Sequence, residues 1–109
     1  MVKDDRKYLL HIIECISRIE DDVRDGRAAS DATHMIQDAV IRNLQVMTES
    51  TQRLSLELRP SRSEIRWTGI AGFRNLLVRD YFGVDLGIVW EIVVKDVPAL
   101  KTVILQAVG

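Results

Sequence analysis

Aliphatic residues recur at three- and four-residue spacing along nearly the whole chain, and this periodicity is the strongest constraint on its fold. Leu9, Ile12, Ile16 and Ile19 show it near the amino terminus, which predicts a helix with one apolar face. The β-branched run 92–94 has no partner strand signal elsewhere, so we expect packing to keep it helical. The chain has 109 residues, which suits a single all-α domain spanning residues 1–109.

Glycine and proline divide the periodic pattern into helices. The first helix, of about 20 residues, ends at Asp25-Gly26, where glycine suits a left-handed cap. Ser30 or Asp31 caps the second helix, whose apolar stripe continues to the break at Pro60. The second helix is therefore predicted to be the longest element.

Two further helices complete the pattern. Residues 61–64 resemble a short capping box, after which a third helix restarts at Trp67 and ends at Gly83. A fourth helix begins near Asp85 and meets Pro98, beyond which residues 100–107 form a last turn or two. Because the connections are short, we expect an up-and-down four-helix bundle with a short additional C-terminal helix.

Several functional classes lack support in the sequence. No apolar run approaches the length of a membrane span and the amino terminus does not resemble a signal peptide, so we expect a cytoplasmic protein. Cys15 is the single cysteine and fits a buried position, while His11 and His34 lie on different helices, so no metal or other cofactor is expected. Gly69 and Gly72 lack the strand of a nucleotide-binding fingerprint; close helix packing is our interpretation.

The net charge of −1 hides a strongly basic segment. Residues 53–79 contain six arginines against only Glu57 and Glu64. Arginine binds phosphate oxygens through two parallel hydrogen bonds, so the segment can hold phosphate groups. The alternative interpretation is a solvated basic face.

Four polar residues near the end of the third helix are candidates for catalysis: Arg74, Asn75, Arg79 and Tyr81. Arg74 and Tyr81 are seven residues apart and return to nearly the same face, whereas Arg79 is rotated from Arg74 by about 140°. One straight helix aims both arginines at one point only with a bend, long side-chain reach or a second subunit. A composite site at a two-fold interface would do so, and together with the apolar stripes this favours a homodimer.

Metal-free RNA cleavage needs a base for the 2′-hydroxyl, a positive group for the phosphate and an acid for the leaving oxygen. Arg74 suits the phosphate, Asn75 can orient it, and Tyr81 can bind RNA or donate a proton. Arg79 binds phosphate but cannot act as a base, because guanidinium stays protonated at neutral pH.

The spacing from Arg74 to Tyr81 resembles the R-x-x-x-x-H-x-Y signature of the HepT-like ribonuclease toxins of the HEPN superfamily, with Arg79 in place of histidine. The similarity extends from near residue 8 to the end of the chain. It is carried by the segments 38–44, 64–67, 70–75, 80–85, 89–91 and 97–100.

This resemblance implies a homodimeric ribonuclease toxin, paired with a minimal nucleotidyltransferase (MNT) antitoxin that transfers AMP to Tyr81. It implies Arg74, Asn75, Arg79 (at the histidine position) and Tyr81 as catalytic residues, and Arg66, Arg74 and Arg79 as RNA contacts. Because Arg79 replaces the histidine, two hypotheses stand: a working ribonuclease, or an inactive dimer that only binds RNA and the antitoxin. A helical adaptor whose arginines merely solvate a surface is the third.

Overall fold

A computed structural model describes residues 4–80 and 83–109, with the backbone alone at residues 30 and 31. All of its regular elements are helical, and the described residues contain no strand. The all-α prediction is therefore confirmed. The helices are α1 (Asp5–Asp22), α2 (Arg27–Ala32), α3 (His34–Gln52), α4 (Leu58–Ser61), α5 (Trp67–Arg79), α6 (Leu86–Glu91), a π-helix (Ile92–Asp96) and α7 (Val97–Val108).

The centre of the bundle is the pair α1 and α3. Helix α7 packs against α1, and α5 packs mainly against α3, so α5 lies at one side of the bundle. Leu77 is the one fully buried residue of α5. The core consists of aliphatic side chains from all four long segments, including Leu9, Ile12, Ile16, Ile19, Val40, Leu44, Met47, Leu77, Val93, Leu100 and Ile104.

The second main helix is shorter than predicted at both ends. Residues 30 and 31 lie inside the separate helix α2, and α3 begins at His34 after an extended Thr33 that makes no side-chain cap. At the other end α3 stops at Gln52, and Pro60 lies within the short helix α4 rather than at a break. A single stripe from residue 35 to residue 58 was the wrong interpretation.

A buried carboxylate accounts for the early end of α3. Asp5 is only 2% exposed, and its two oxygens accept hydrogen bonds from the backbone N–H of Ser55 at 2.8 Å and from the Ser55 hydroxyl at 2.7 Å. This contact holds the loop after α3 against the start of α1. Helix α3 ends before Ser55 because the buried carboxylate of Asp5 requires hydrogen-bond donors, and Ser55 supplies two.

The predicted capping box at residues 61–64 is wrong. Ser61 is the last residue of α4, and its hydroxyl donates to the Leu58 carbonyl at 2.6 Å. Helix α5 begins at Trp67 without a side-chain cap. The indole N–H of Trp67 donates to the Arg62 carbonyl at 3.0 Å instead, which fixes the loop against the helix.

The C-terminal segment is continuously helical from Leu86 to Val108. As predicted, Asp85 starts it: its carboxylate accepts hydrogen bonds from the N–H groups of Gly87 and Ile88. Pro98 does not stop the helix, so α7 is longer than the expected turn or two. In an α-helix, proline has no N–H to donate to the carbonyl four residues before it, and its ring clashes with that carbonyl. The π-helix just before α7 changes the backbone path at this point and so accommodates Pro98.

Two further predictions concern Cys15 and membrane-spanning helices. Cys15 is buried, as predicted, and this burial raises the pKa of its thiol, which favours the unreactive protonated form. Across residues 4–80 and 83–109, no helix is long and apolar enough to cross a membrane.

The Asp5–Ser55 contact generates a stability prediction. Replacing Asp5 with alanine should lower the free energy of unfolding by about 2 kcal/mol, because two donors on Ser55 lose a charged acceptor. Urea denaturation measures the difference. Asp4→Ala is the matched control, since Asp4 is exposed and makes no cap hydrogen bond; an equal loss in both variants would contradict the assignment.

Candidate functional site

Three of the four candidate catalytic residues lie on or next to the last turns of α5. Arg74 is half-buried, whereas Asn75 and Arg79 are exposed. One guanidinium nitrogen of Arg74, Nη1, donates to the Asn75 side-chain oxygen at 3.2 Å. Asn75 therefore orients Arg74, and both present donors to solvent at the surface of α5.

Arg79 points elsewhere. It is five residues after Arg74 in the same helix, which is a rotation of about 140°, and it shares an exposed stripe with Thr68, Gly72 and Asn75. The spacing 68, 72, 75 and 79 is that of one helix face. The structure thus separates the two arginines within one chain, as the sequence predicted.

Arg74 has one hydrogen-bond donor without an acceptor. Its Nε is buried and has no hydrogen-bond partner among the described residues, and Arg59 Nε is in the same condition. A buried donor without an acceptor costs free energy comparable to a lost hydrogen bond. An incoming anion that reaches Arg74 would supply the missing acceptor.

Charge pairing divides the surface into two parts. Glu14 pairs with Arg18, Glu20 with Lys101 and Glu91 with Lys95, all on α1 or on the C-terminal segment. Within the part of the chain that the structure describes, no ion pair involves any of the six arginines between residues 53 and 79. We call this set of arginines the arginine surface: Arg53, Arg59, Arg62, Arg66, Arg74 and Arg79.

The prediction that the third helix continues to Gly83 is wrong. Helix α5 ends at Arg79, and Asp80 has non-helical backbone angles. Gly83 lies in the following turn, where its N–H donates to the Asp80 carbonyl. Tyr81 lies outside the described residues, so its predicted position on the face of Arg74 stays a prediction.

The two glycines of α5 do not pack closely inside this chain. A Cβ atom on Gly72 would meet no other part of the protein within 4 Å, and one on Gly69 would meet only the Arg66 Cβ at 3.7 Å. Close helix packing within the monomer is therefore the wrong explanation for them. Gly72 instead leaves a shallow, open place on the exposed stripe.

The histidines lie apart from this surface. His11 Nδ1 shares a hydrogen bond of 2.7 Å with the Ser50 hydroxyl, which links α1 to α3, and His34 begins α3. Among the described residues there is no group of three or more side chains placed to hold a metal ion.

A cleft of about 390 Å³ lies between α5 and the C-terminal segment, and no pattern in the sequence predicted it. Met47 and Thr48 of α3 form its floor, Phe73 contributes to one wall, and Glu64 and Asp96 lie at its edge. These residues come from three distant parts of the chain. No local motif could have predicted that they meet.

These features define a small all-α domain whose arginine surface runs from the end of α3 to the end of α5 and forms no ion pair among the described residues. Residues 9–107 match the ribonuclease HepT-like family, and the chain belongs to that family. The family is named for ribonuclease activity.

The curated relatives agree. A Methanocaldococcus jannaschii protein named "Gamma-glutamylcyclotransferase and putative RNase" is 43% identical over 97% of this chain but only 48% of its own length, so the chain spans about half of that relative. A "putative RNase" of Caldanaerobacter subterraneus subsp. tengcongensis is 35% identical over 92% of this chain and 90% of its own. A "probable ribonuclease HepT" of Thermococcus cleftensis is 33% identical, covering 93% of each. No solved structure gives a significant match.

Proposed function

We propose that this chain is the toxin of a toxin–antitoxin module of the HEPN/MNT type: a cytoplasmic homodimer that cleaves RNA without a metal ion and is neutralised when its antitoxin transfers AMP to Tyr81. The observation that carries the proposal is the arginine surface, whose guanidinium groups have no carboxylate partner among the described residues. RNA phosphates supply the acceptors that these groups lack.

The exposed stripe of α5 supports the dimer. Three of its residues are small, Gly72 leaves space, and neighbouring Val78 is 50% exposed although it is apolar. When two antiparallel α5 helices pack across a two-fold axis, small residues let their backbones approach closely. The two-fold axis then brings Arg74 and Arg79 of both protomers to one interface, where a shared site can contain the arginines that one helix separates.

In the proposed reaction the 2′-oxygen attacks the adjacent phosphorus, the bond from phosphorus to the 5′-oxygen breaks, and that oxygen leaves with a proton. Arg74, oriented by Asn75, stabilises the charge on the phosphoryl oxygens. Tyr81 binds the RNA or donates the proton. The 2′-hydroxyl must lose its proton to a base, which the related toxins supply as histidine and Arg79 does not.

This chain should therefore be a weak ribonuclease. The second candidate function, a dimer that binds RNA and antitoxin without cleaving, follows from the same residue. Arg79 is exposed on α5 and adds phosphate affinity in place of a base. RNA binding should be retained in either case.

The antitoxin reaction is proposed for the phenol of Tyr81. Its oxygen attacks the α-phosphorus of ATP, the bond to the departing pyrophosphate breaks, and the phenol proton is released. The resulting AMP group is a bulky anion beside the arginine surface. It competes with RNA phosphate for the same guanidinium groups, so sterics and charge both oppose RNA binding.

The dimer prediction is tested at Gly72. Gly72→Trp should convert a dimer into a folded monomer, because a Cβ atom there has open space in its own chain while the indole fills the proposed interface. Light scattering gives the mass and circular dichroism checks the fold. Ala28→Trp, at an exposed alanine of α2, should remain dimeric; a monomeric parent at micromolar concentration would refute the interface.

The catalytic prediction is tested at residue 79. Arg79→His should cleave RNA about 10²- to 10⁴-fold faster than the parent, since it restores a general base. Arg79→Gln removes the same positive charge without supplying a base and should stay slow. Equal rates for the parent and the histidine variant would remove the base assignment.

The antitoxin prediction is tested at the two tyrosines. Incubation with a cognate antitoxin and ATP should add mass in units of AMP, and Tyr81→Phe should abolish the addition. Tyr8→Phe is the matched control, because Tyr8 is half-buried on α1 under the ammonium of Lys7. Modification that persists in Tyr81→Phe would overturn the assignment, and the Arg79→His background shows whether Arg79 hinders docking.

A further inference from the structure

We propose that the cleft between α5 and the C-terminal segment is a base-binding subsite that takes a guanine of the RNA. This inference rests on the proposed RNA function and adds a base preference to it. The cleft, at about 390 Å³, falls in the range of pockets that bind small ligands. Its floor is buried, and Ile70 and Phe73 make a half-buried wall.

The edge of the cleft carries complementary charges. Glu64 and Arg66 precede α5 and Asp96 ends the π-helix; all three are exposed. None of the three forms an ion pair with another described residue. The cleft therefore offers hydrogen-bond acceptors and a forked donor around an apolar wall.

Guanine matches this set better than the other RNA bases. Its N1–H and 2-amino group are adjacent donors that one carboxylate can accept together, and its O6 and N7 are acceptors for an arginine. Adenine, cytosine and uracil do not present two adjacent donors on one edge. The Phe73 ring supplies the apolar surface against which a base packs.

The cleft is lined by a sequence neighbour of Arg74, although Arg74 itself does not line it. Phe73 immediately precedes Arg74, and Arg66 lies eight residues before Arg74, or about 12 Å along the helix. A phosphate held by Arg74 and a base held in the cleft therefore belong to the same nucleotide or to neighbouring ones. The π-helix, a form often found at functional sites, contributes Ile92 and Asp96 to the lining of the cleft.

The test measures base preference separately from affinity. Fluorescence anisotropy is recorded for labelled, uncleavable 2′-O-methyl hexamers of uridine with a single guanosine or adenosine at one internal position. The all-uridine hexamer serves as the reference. The parent should bind the guanosine hexamer about tenfold or more tightly than the adenosine hexamer. Glu64→Gln and Asp96→Asn should each reduce that ratio while all-uridine binding is retained or strengthened, because a negative charge is lost.

Glu57→Gln and Asp80→Asn are the matched controls: each removes one exposed carboxylate outside the cleft lining and should keep the guanosine preference. Binding of all hexamers without a preference would overturn the subsite and leave the proposed RNA function intact. No salt-dependent binding of any hexamer would overturn both. Guanosine 5′-monophosphate binding as tightly as the guanosine hexamer would instead make the cleft a free-nucleotide site.

Discussion

The packing of α1 against α3 is the contact on which every other part of the molecule depends. Helix α5 reaches the core through α3, and α7 reaches it through α1. Buried aliphatic residues on both faces of this pair provide the hydrophobic stabilisation, and Asp5 with Ser55 ties one end of it. Because α5 has a single fully buried residue, its position is set by α3, and six of its thirteen residues remain exposed for contact with other molecules.

Local chemistry in the sequence predicted much of this fold. The isoleucine spacing of α1 and the cap at Asp85 each depend on residues a few positions apart. Gly26 has the expected positive φ, but the prediction that it caps the first helix is wrong, because α1 already ends at Asp22 with Val23 as its C-cap. The errors arose where distant residues decide the outcome. The end of α3 depends on Asp5, which is 50 residues from Ser55, and no helical pattern read in a short window contains that information.

In the candidate site, too, local features could be predicted from the sequence and contacts between distant residues could not. Helical geometry alone predicted that Arg74 and Arg79 diverge, and the exposed stripe of α5 agrees. The unpaired state of the arginines could not be predicted, because a surplus of arginine in the sequence does not say which carboxylates fold next to it. The cleft was missed since Thr48, Phe73 and Asp96 meet only in the folded bundle.

The π-helix makes the C-terminal segment sensitive to chain length in a way that ordinary helices are not. A π-turn holds one residue more than the α-helical path it replaces. Deleting one residue between Ile92 and Asp96 would restore an α-helix, which brings the ring of Pro98 against the carbonyl four residues earlier. The alternative, a rotation of α7 by about 100°, turns Leu100 and Ile104 away from α1. Substitutions in this segment should therefore be tolerated in evolution far more readily than single-residue deletions.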